Sequence, residues 1–144
     1  MTCFLNPLST PPPDAVAHMD LAKGGDLTKR IIGLAMRVHT HLGPGLLESA
    51  YEHCLCHEFD QNALAYARQV DLPLEYDGTM LDCGYRADLI VDNTVILELK
   101  SIEHILPLHE AQLLTYLRLS GIKVGLLINF YVPVLKKGIK RLVL

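Results

Sequence analysis

The sequence RADLIVDNTVILELK, residues 86–100, contains two aliphatic segments separated by three polar residues. The aliphatic residues on either side of Asp-Asn-Thr predict two strands joined in a hairpin. Asp88, Glu98 and Lys100 interrupt the apolar pattern. Charged groups are costly to bury unless they pair or bind a metal, so their placement on the hairpin bears on function as well as on fold.

The register of the hairpin determines whether its two carboxylates face each other, because side chains alternate between the faces of a strand. A two-residue turn pairs Val91 with Thr94 and points Glu98 away from Asp88. A three-residue loop pairs Val91 with Val95 and places Asp88 opposite Glu98, with Cβ atoms about 4.5–5.5 Å apart. Two carboxylates at that separation repel each other unless a cation lies between them, and their oxygens suit Mg²⁺. We favour the three-residue loop.

The three-residue loop also agrees with the other residues of the hairpin. It needs one residue in the left-handed region, which Asn93 tolerates. Ile90 and Ile96 then join the acidic face, so both faces are apolar away from the charged end, as in a sheet covered by helices on both sides. Arg86 falls opposite Lys100, and a negative site nearby would offset their repulsion. The other face carries Leu89, Val91, Leu97 and Leu99.

Hydrophobic periodicity elsewhere predicts helices and strands in the core order αβββαβ, which implies an α/β fold with one mixed sheet flanked by helices. Asp26 can cap the first helix, Gly43 suits its end, and Pro107 suits the first turn of the last helix. The predicted elements are a helix from residue 27 to 42, a helix over 47–59, a strand over 69–76 followed by an Asp-Gly turn, the hairpin strands, a helix over 107–121 and a buried strand over 123–130.

The length and composition indicate a single folded domain. The chain has 144 residues, of which 50 % are hydrophobic and 20 % charged, which is enough for one core. The segments TPPPD and KGGD indicate a flexible or loosely docked arm over residues 1–25, followed by a domain over 26–144. The sequence shows neither a run of about 18 uncharged apolar residues nor the pattern of a signal peptide, so we expect a cytoplasmic protein without a membrane span.

The charge balance weighs mildly against a strong DNA binder. The formal net charge is −3, whereas nucleic-acid binders are usually basic because phosphate contacts supply their affinity. The basic segment KKGIKR, residues 136–141, is compatible either with a local basic surface or with a solvated end of the chain.

Three motifs together resemble one enzyme superfamily. Asp88, followed after a short hairpin by Glu98-x-Lys100, resembles the motif of the PD-(D/E)XK nucleases. The segment GPGLLESAY, residues 43–51, contains the Gly-x-x-Glu-x-x-Tyr signature of the small bacterial GxxExxY protein family within that superfamily. The segment QLLTY, residues 112–116, resembles the Gln-x-x-x-Tyr helix motif of the branch that includes recombination exonucleases.

This resemblance implies a restriction-endonuclease-like core and a metal-dependent site. Asp88, Glu98 and the backbone carbonyl of Leu99 would bind a divalent metal, Mg²⁺ or Mn²⁺. Glu48 would complete the metal shell, although a carboxylate there also suits a helix N-terminus. Lys100 would position or deprotonate the attacking water.

The resemblance also implies roles for polar residues near the metal. Gln112 would support catalysis, and Tyr116 would contact the substrate backbone. Apart from the resemblance, His109 shares their helix face three residues before Gln112, either as a substrate contact or as a structural residue at the rim, and Arg86 is a further candidate for substrate contact. The expected function is metal-dependent hydrolysis of phosphodiester bonds, with DNA the expected substrate and a homodimer or a protein partner as a further possibility. The alternative is a catalytically silent module of the same fold that binds nucleic acid or a protein partner. Tyr51 is expected to be a core residue rather than part of the chemistry.

Overall fold

The computed structural model describes residues 13–144, with side chains from residue 25 onward. Its helices are α1 (Pro13–Leu42), α2 (Glu48–Gln61) and α3 (Pro107–Ser120), with a short 3₁₀ helix at Leu135–Gly138. Its strands are β1 (Tyr66–Asp71), β2 (Leu74–Tyr76), β3 (Thr79–Leu81), β4 (Arg86–Val91), β5 (Val95–Lys100), β6 (Val124–Asn129) and β7 (Ile139–Val143). Among these described residues, no helix is long and apolar enough to cross a membrane.

Helix α1 is longer than the sequence predicts. It begins at Pro13, so the predicted start at Asp26 is wrong. Its predicted end is confirmed, because Gly43 follows the helix with a φ of 69° and its N–H donates to the His39 carbonyl at 2.8 Å. Glycine adopts this left-handed conformation at little cost. Residues 1–12 of the predicted arm lie outside the described residues, and the boundary between arm and domain remains a prediction.

The main sheet has five strands in the order β1-β4-β5-β6-β7. Strands β5 and β6 are parallel and are connected through α3, whereas the other neighbours are antiparallel. Strands β2 and β3 form a separate hairpin around the predicted turn, where Asp77 and Gly78 have φ values of 50° and 73°. The predicted mixed sheet flanked by helices is therefore confirmed, and it is consistent with a restriction-endonuclease-like fold.

The β4–β5 hairpin has the predicted register. Val91 pairs with Val95, which leaves a three-residue loop between the strands. Two loop residues are left-handed, Asp92 with a φ of 49° and Asn93 with a φ of 54°, whereas the sequence led us to expect one. This register places the two carboxylates of the hairpin opposite each other.

Each face of the main sheet is covered by a separate apolar core, as expected for strands buried on both sides. Helices α1 and α2 pack on one face and α3 on the other. The α3 core includes Ile90, Ile96, Leu113 and Leu117, and the core beneath α1 and α2 includes Leu89, Val91, Leu97 and Leu99. The predicted division of the hairpin between two apolar faces is confirmed.

One strand prediction is wrong, and one strand was not predicted. The single strand expected over 69–76 is divided into β1 and β2, because Pro73 has no N–H and cannot continue a ladder. Part of the basic segment 136–141 lies in the edge strand β7, which the sequence did not predict, and its Lys and Arg side chains are exposed. Ile139 and Leu142 are the half-buried residues of this strand and lie three residues apart, so the segment lacks the alternation that identifies a strand from sequence.

Candidate active site

Side-chain hydrogen bonds hold β4 and β5 together at the acidic end of the hairpin. The backbone pairing between the strands extends from Val91 to Leu89. Beyond it, the Asp88 N–H donates to Oε1 of Glu98 at 3.0 Å, and the Leu99 N–H donates to Oδ2 of Asp88 at 2.9 Å. Each carboxylate therefore accepts a backbone hydrogen bond from the opposite strand, which holds Asp88 and Glu98 side by side.

The two carboxylates lie in an environment that disfavours negative charge. Glu98 is only 3 % exposed, and burial, followed by the charge of Asp88, raises the pKa of Glu98 to about 8. Burial also raises the pKa of Asp88, although the hydrogen bond from the Leu99 N–H lowers it. Lys100 ends β5, and its positive charge lowers the pKa of both carboxyl groups. The pair would therefore be stabilised by additional positive charge.

Glu48 lies beside this pair at the start of α2. Its Oε1 accepts a hydrogen bond from the Ser101 N–H at 3.2 Å, and the Ser101 hydroxyl donates to the Leu46 carbonyl at 2.7 Å. These bonds tie the beginning of α2 to the residue that follows Lys100. A carboxylate is also favourable at the positive end of the helix dipole. The position of Glu48 is therefore compatible with both predicted roles, as part of a metal shell and as a residue that stabilises the helix N-terminus.

Tyr51 is a structural residue, as expected. Its side chain is fully buried and stacks on Phe130 with ring centroids 4.2 Å apart. Its hydroxyl donates to the Gly43 carbonyl at 2.5 Å and accepts from the Leu46 N–H at 3.2 Å. Tyr51 thus fixes the loop that leads into Glu48.

Helix α3 places the predicted Gln-Tyr pair near the acidic residues. Gln112 Nε2 donates to the Tyr116 hydroxyl at 2.7 Å. Tyr116 is buried, and burial, followed by the charge of Glu98, raises the pKa of its hydroxyl. The ring of Tyr85 meets that of Tyr116 edge-on, with centroids 6.2 Å apart. The effect of Glu98 on this pKa indicates that Tyr116 lies within electrostatic range of the acidic pair.

His109 and Arg86 make local structural contacts. His109 Nδ1 accepts from the Leu106 N–H at 2.9 Å and caps the first turn of α3. Arg86 forms an exposed ion pair with Asp71 at 3.0 Å. Their predicted roles in substrate binding therefore remain predictions.

Three residues near the acidic pair were not identified from the sequence. Glu52 is 6 % exposed, and its carboxylate accepts from Arg68 Nη2 and from Gln69 Nε2, both at 2.7 Å. The sequence contains one relevant signal, since Glu52 lies four residues after Glu48 and shares its helix face. Both residues line a cavity of about 190 Å³, together with Ser49, Gln69, Asp88 and Leu99.

The chemistry of this site fits a divalent cation. Within the described residues, the hydrogen bonds between β4 and β5 use one oxygen of Asp88 and one oxygen of Glu98, so each carboxylate has a second oxygen to offer. The described residues contain no group of three or more His, Cys, Asp or Glu side chains arranged to hold a metal ion. Mg²⁺ needs no such protein cage, because it commonly binds through one or two carboxylates, with waters and substrate phosphates completing its shell.

Comparison with known proteins agrees with the fold. A family model of the PD-(D/E)XK nuclease superfamily matches residues 25–142. No curated protein and no solved structure matches the chain. The matched range includes the hairpin that holds Asp88 and Glu98 side by side, with Lys100 at the end of the second strand. The chain therefore belongs to the PD-(D/E)XK nuclease superfamily.

Proposed function

We propose that this protein is a metal-dependent nuclease that hydrolyses phosphodiester bonds of DNA, and that it is a member of the GxxExxY family. The observation that carries the proposal is the pair formed by the buried Glu98 and the half-buried Asp88, with Lys100 next to it on the hairpin. Two carboxylates placed side by side, one of them buried, destabilise a fold unless a cation compensates them. This arrangement is consistent with a role in cation binding and phosphate chemistry.

In the proposed site, Asp88, Glu98 and the carbonyl of Leu99 hold Mg²⁺ or Mn²⁺, and Glu48 supports them from the start of α2. When bound, the ion stabilises the negative charge that develops on the phosphate and lowers the pKa of its bound water. Lys100 supplies further positive charge beside the reacting phosphate.

Helix α3 contributes the polar residues that would face the substrate. Gln112 orients the Tyr116 hydroxyl through the bond between them. The ordinary pKa of tyrosine lies well above neutral and that of Tyr116 is raised further, so its hydroxyl is protonated at neutral pH and can donate to a phosphate oxygen. This supports a role for both residues in binding the nucleic-acid backbone.

A cleavage assay with labelled single-stranded, duplex and branched DNA, and with RNA, tests this function. We expect cleavage with Mg²⁺ or Mn²⁺ but not with EDTA, and about 100-fold or greater loss in Asp88→Asn, Glu98→Gln and Lys100→Met. Glu75→Gln is the matched control, because Glu75 is an exposed carboxylate on β2. Absence of metal-dependent cleavage with every substrate would contradict the proposal.

A catalytically silent module is the second candidate. The net charge of −3 favours it, because strong nucleic-acid binding usually requires a basic surface. Titration calorimetry with Mn²⁺ separates the two candidates. Binding that is lost in Asp88→Asn and Glu98→Gln supports the nuclease, whereas a folded protein that binds no Mn²⁺ supports the silent module.

A further inference from the structure

Gln69 has an unusual backbone conformation at the position opposite Asp88. The β1–β4 ladder pairs the residues immediately before and after Gln69, but it passes over Gln69 and Asp88 themselves. The φ angle of Gln69 is 49°, whereas strand residues have strongly negative φ angles. A positive φ is strained for a residue other than glycine and requires contacts that hold it in place.

Glu52 provides contacts that hold this conformation. Arg68 and Gln69 are consecutive residues of β1, and consecutive side chains of a regular strand point to opposite faces. Both nevertheless bond to the Glu52 carboxylate, Arg68 Nη2 to Oε2 and Gln69 Nε2 to Oε1, each at 2.7 Å. The left-handed conformation of Gln69 allows both side chains to reach one carboxylate.

Asp88 is consequently outside the regular backbone pairing on both of its sides. Toward β5, hydrogen bonds with Glu98 and Leu99 replace the ladder. Toward β1, the irregular Gln69 takes the place of a ladder partner. Asp88 lines the cavity of about 190 Å³ that Glu52 and Gln69 also line. An extended Gln69 would pair with Asp88, fill the gap in the ladder and move Asp88 relative to this cavity.

We propose that Gln69, Glu52 and Arg68 are positioning residues for Asp88. Arg68 anchors Glu52, and Glu52 holds Gln69 in its left-handed conformation, which keeps Asp88 out of the β1–β4 ladder with its carboxylate toward the cavity. None of the three needs to touch the reacting phosphate. The consequence for cation binding rests on the proposed nuclease function, whereas the effect on the geometry of Asp88 does not.

Two substitutions at position 69 test the backbone step. Gln69→Gly and Gln69→Val both remove the bond to Glu52, but glycine accepts a positive φ and valine favours an extended strand. We expect Gln69→Val to weaken Mn²⁺ binding about tenfold or more and Gln69→Gly to remain within about threefold of wild type, measured by calorimetry. Equal affinities for the two variants would overturn the proposal, and circular dichroism establishes that both are folded.

Hydrogen exchange in the metal-free protein tests whether the backbone conformation of Gln69 positions Asp88. The Leu99 amide is bonded to Oδ2 of Asp88, so its exchange rate reports the position of that carboxylate. We expect about fivefold or faster exchange at Leu99 in Gln69→Val, with little change in Gln69→Gly and at the amides of β6. An unchanged Leu99 rate in Gln69→Val would refute the positioning role.

A matched pair of substitutions on α2 tests the role of Glu52 in holding Gln69. Glu52→Gln removes the charge that Arg68 binds, whereas Glu58→Gln removes a half-buried charge that pairs with the exposed Arg37 at 3.2 Å. We expect about tenfold weaker Mn²⁺ binding and faster Leu99 exchange only in Glu52→Gln. Wild-type behaviour of a folded Glu52→Gln protein would overturn the proposal. If wild type binds no Mn²⁺, the nuclease function fails, and the exchange rates still decide the positioning role.

Discussion

Replacing Glu98 with glutamine should stabilise the metal-free protein at neutral pH while it abolishes cleavage. Glutamine has nearly the shape of a protonated glutamate but carries no charge. Burial, followed by the charge of Asp88, raises the pKa of Glu98 from 4.5 to about 8 in the folded protein. Ionised Glu98 therefore opposes folding, and the uncharged variant lacks this penalty.

The size of the effect follows from the pKa shift. Below pH 4.5, Glu98 is protonated in both the folded and the unfolded protein, so it does not reduce the free energy of unfolding. As the pH rises toward 8, the folded protein retains a proton that the unfolded protein has lost, so stability falls by up to about 1.4 kcal/mol per pH unit. At pH 7 this corresponds to about 3 kcal/mol, which is a large part of the stability of a small domain.

Urea denaturation in EDTA at several values between pH 4.5 and pH 8 measures this difference. We expect the free energy of unfolding of Glu98→Gln to exceed that of wild type by about 3 kcal/mol at pH 7, with the difference disappearing near pH 4.5. Glu75→Gln should follow the wild-type curve, because Glu75 is exposed. A constant difference between Glu98→Gln and wild type across this range would refute the reasoning.

Three further predictions concern other parts of the fold. Gly138→Ala should lower the free energy of unfolding by about 1–3 kcal/mol in urea denaturation, because a Cβ there would overlap the carbonyl oxygen of Asn129. Gly33→Ala in α1 should instead raise the free energy of unfolding by about 0.5–1 kcal/mol, because alanine favours a helix and nothing lies within 4 Å of the Cβ position. Tyr51→Phe should cost about 1–2 kcal/mol in the same assay, because it removes both hydroxyl bonds of the preceding loop and retains the stacked ring. Mn²⁺ at about 100 times its Kd should stabilise wild type by about 3 kcal/mol in thermal melts, and Glu98→Gln should show a much smaller gain.

Features that depend on residues close together in the sequence could be predicted from the sequence. The three-residue loop was predicted from the two carboxylates of the hairpin, which suit a cation when they face each other, and from Asn93, which tolerates a positive φ. The register of that loop was sufficient to place Asp88 opposite Glu98. Gly43 and Gly121 mark the ends of α1 and α3 with φ values of 69° and 75° for the same local reason.

Other features depend on contacts between distant segments, which a local pattern does not contain. Strand β7 forms because β6 offers it an edge, and the pKa of Glu98 rises because helices cover both faces of the hairpin. Glu52 and Gln69 are far apart in sequence and meet only when α2 packs on the sheet. The sequence thus determined which residues carry the acidic hairpin, whereas packing decided how strongly that hairpin favours a cation and which residues position Asp88. The physical reason is that burial and long-range contacts exist only once the helices have covered the sheet.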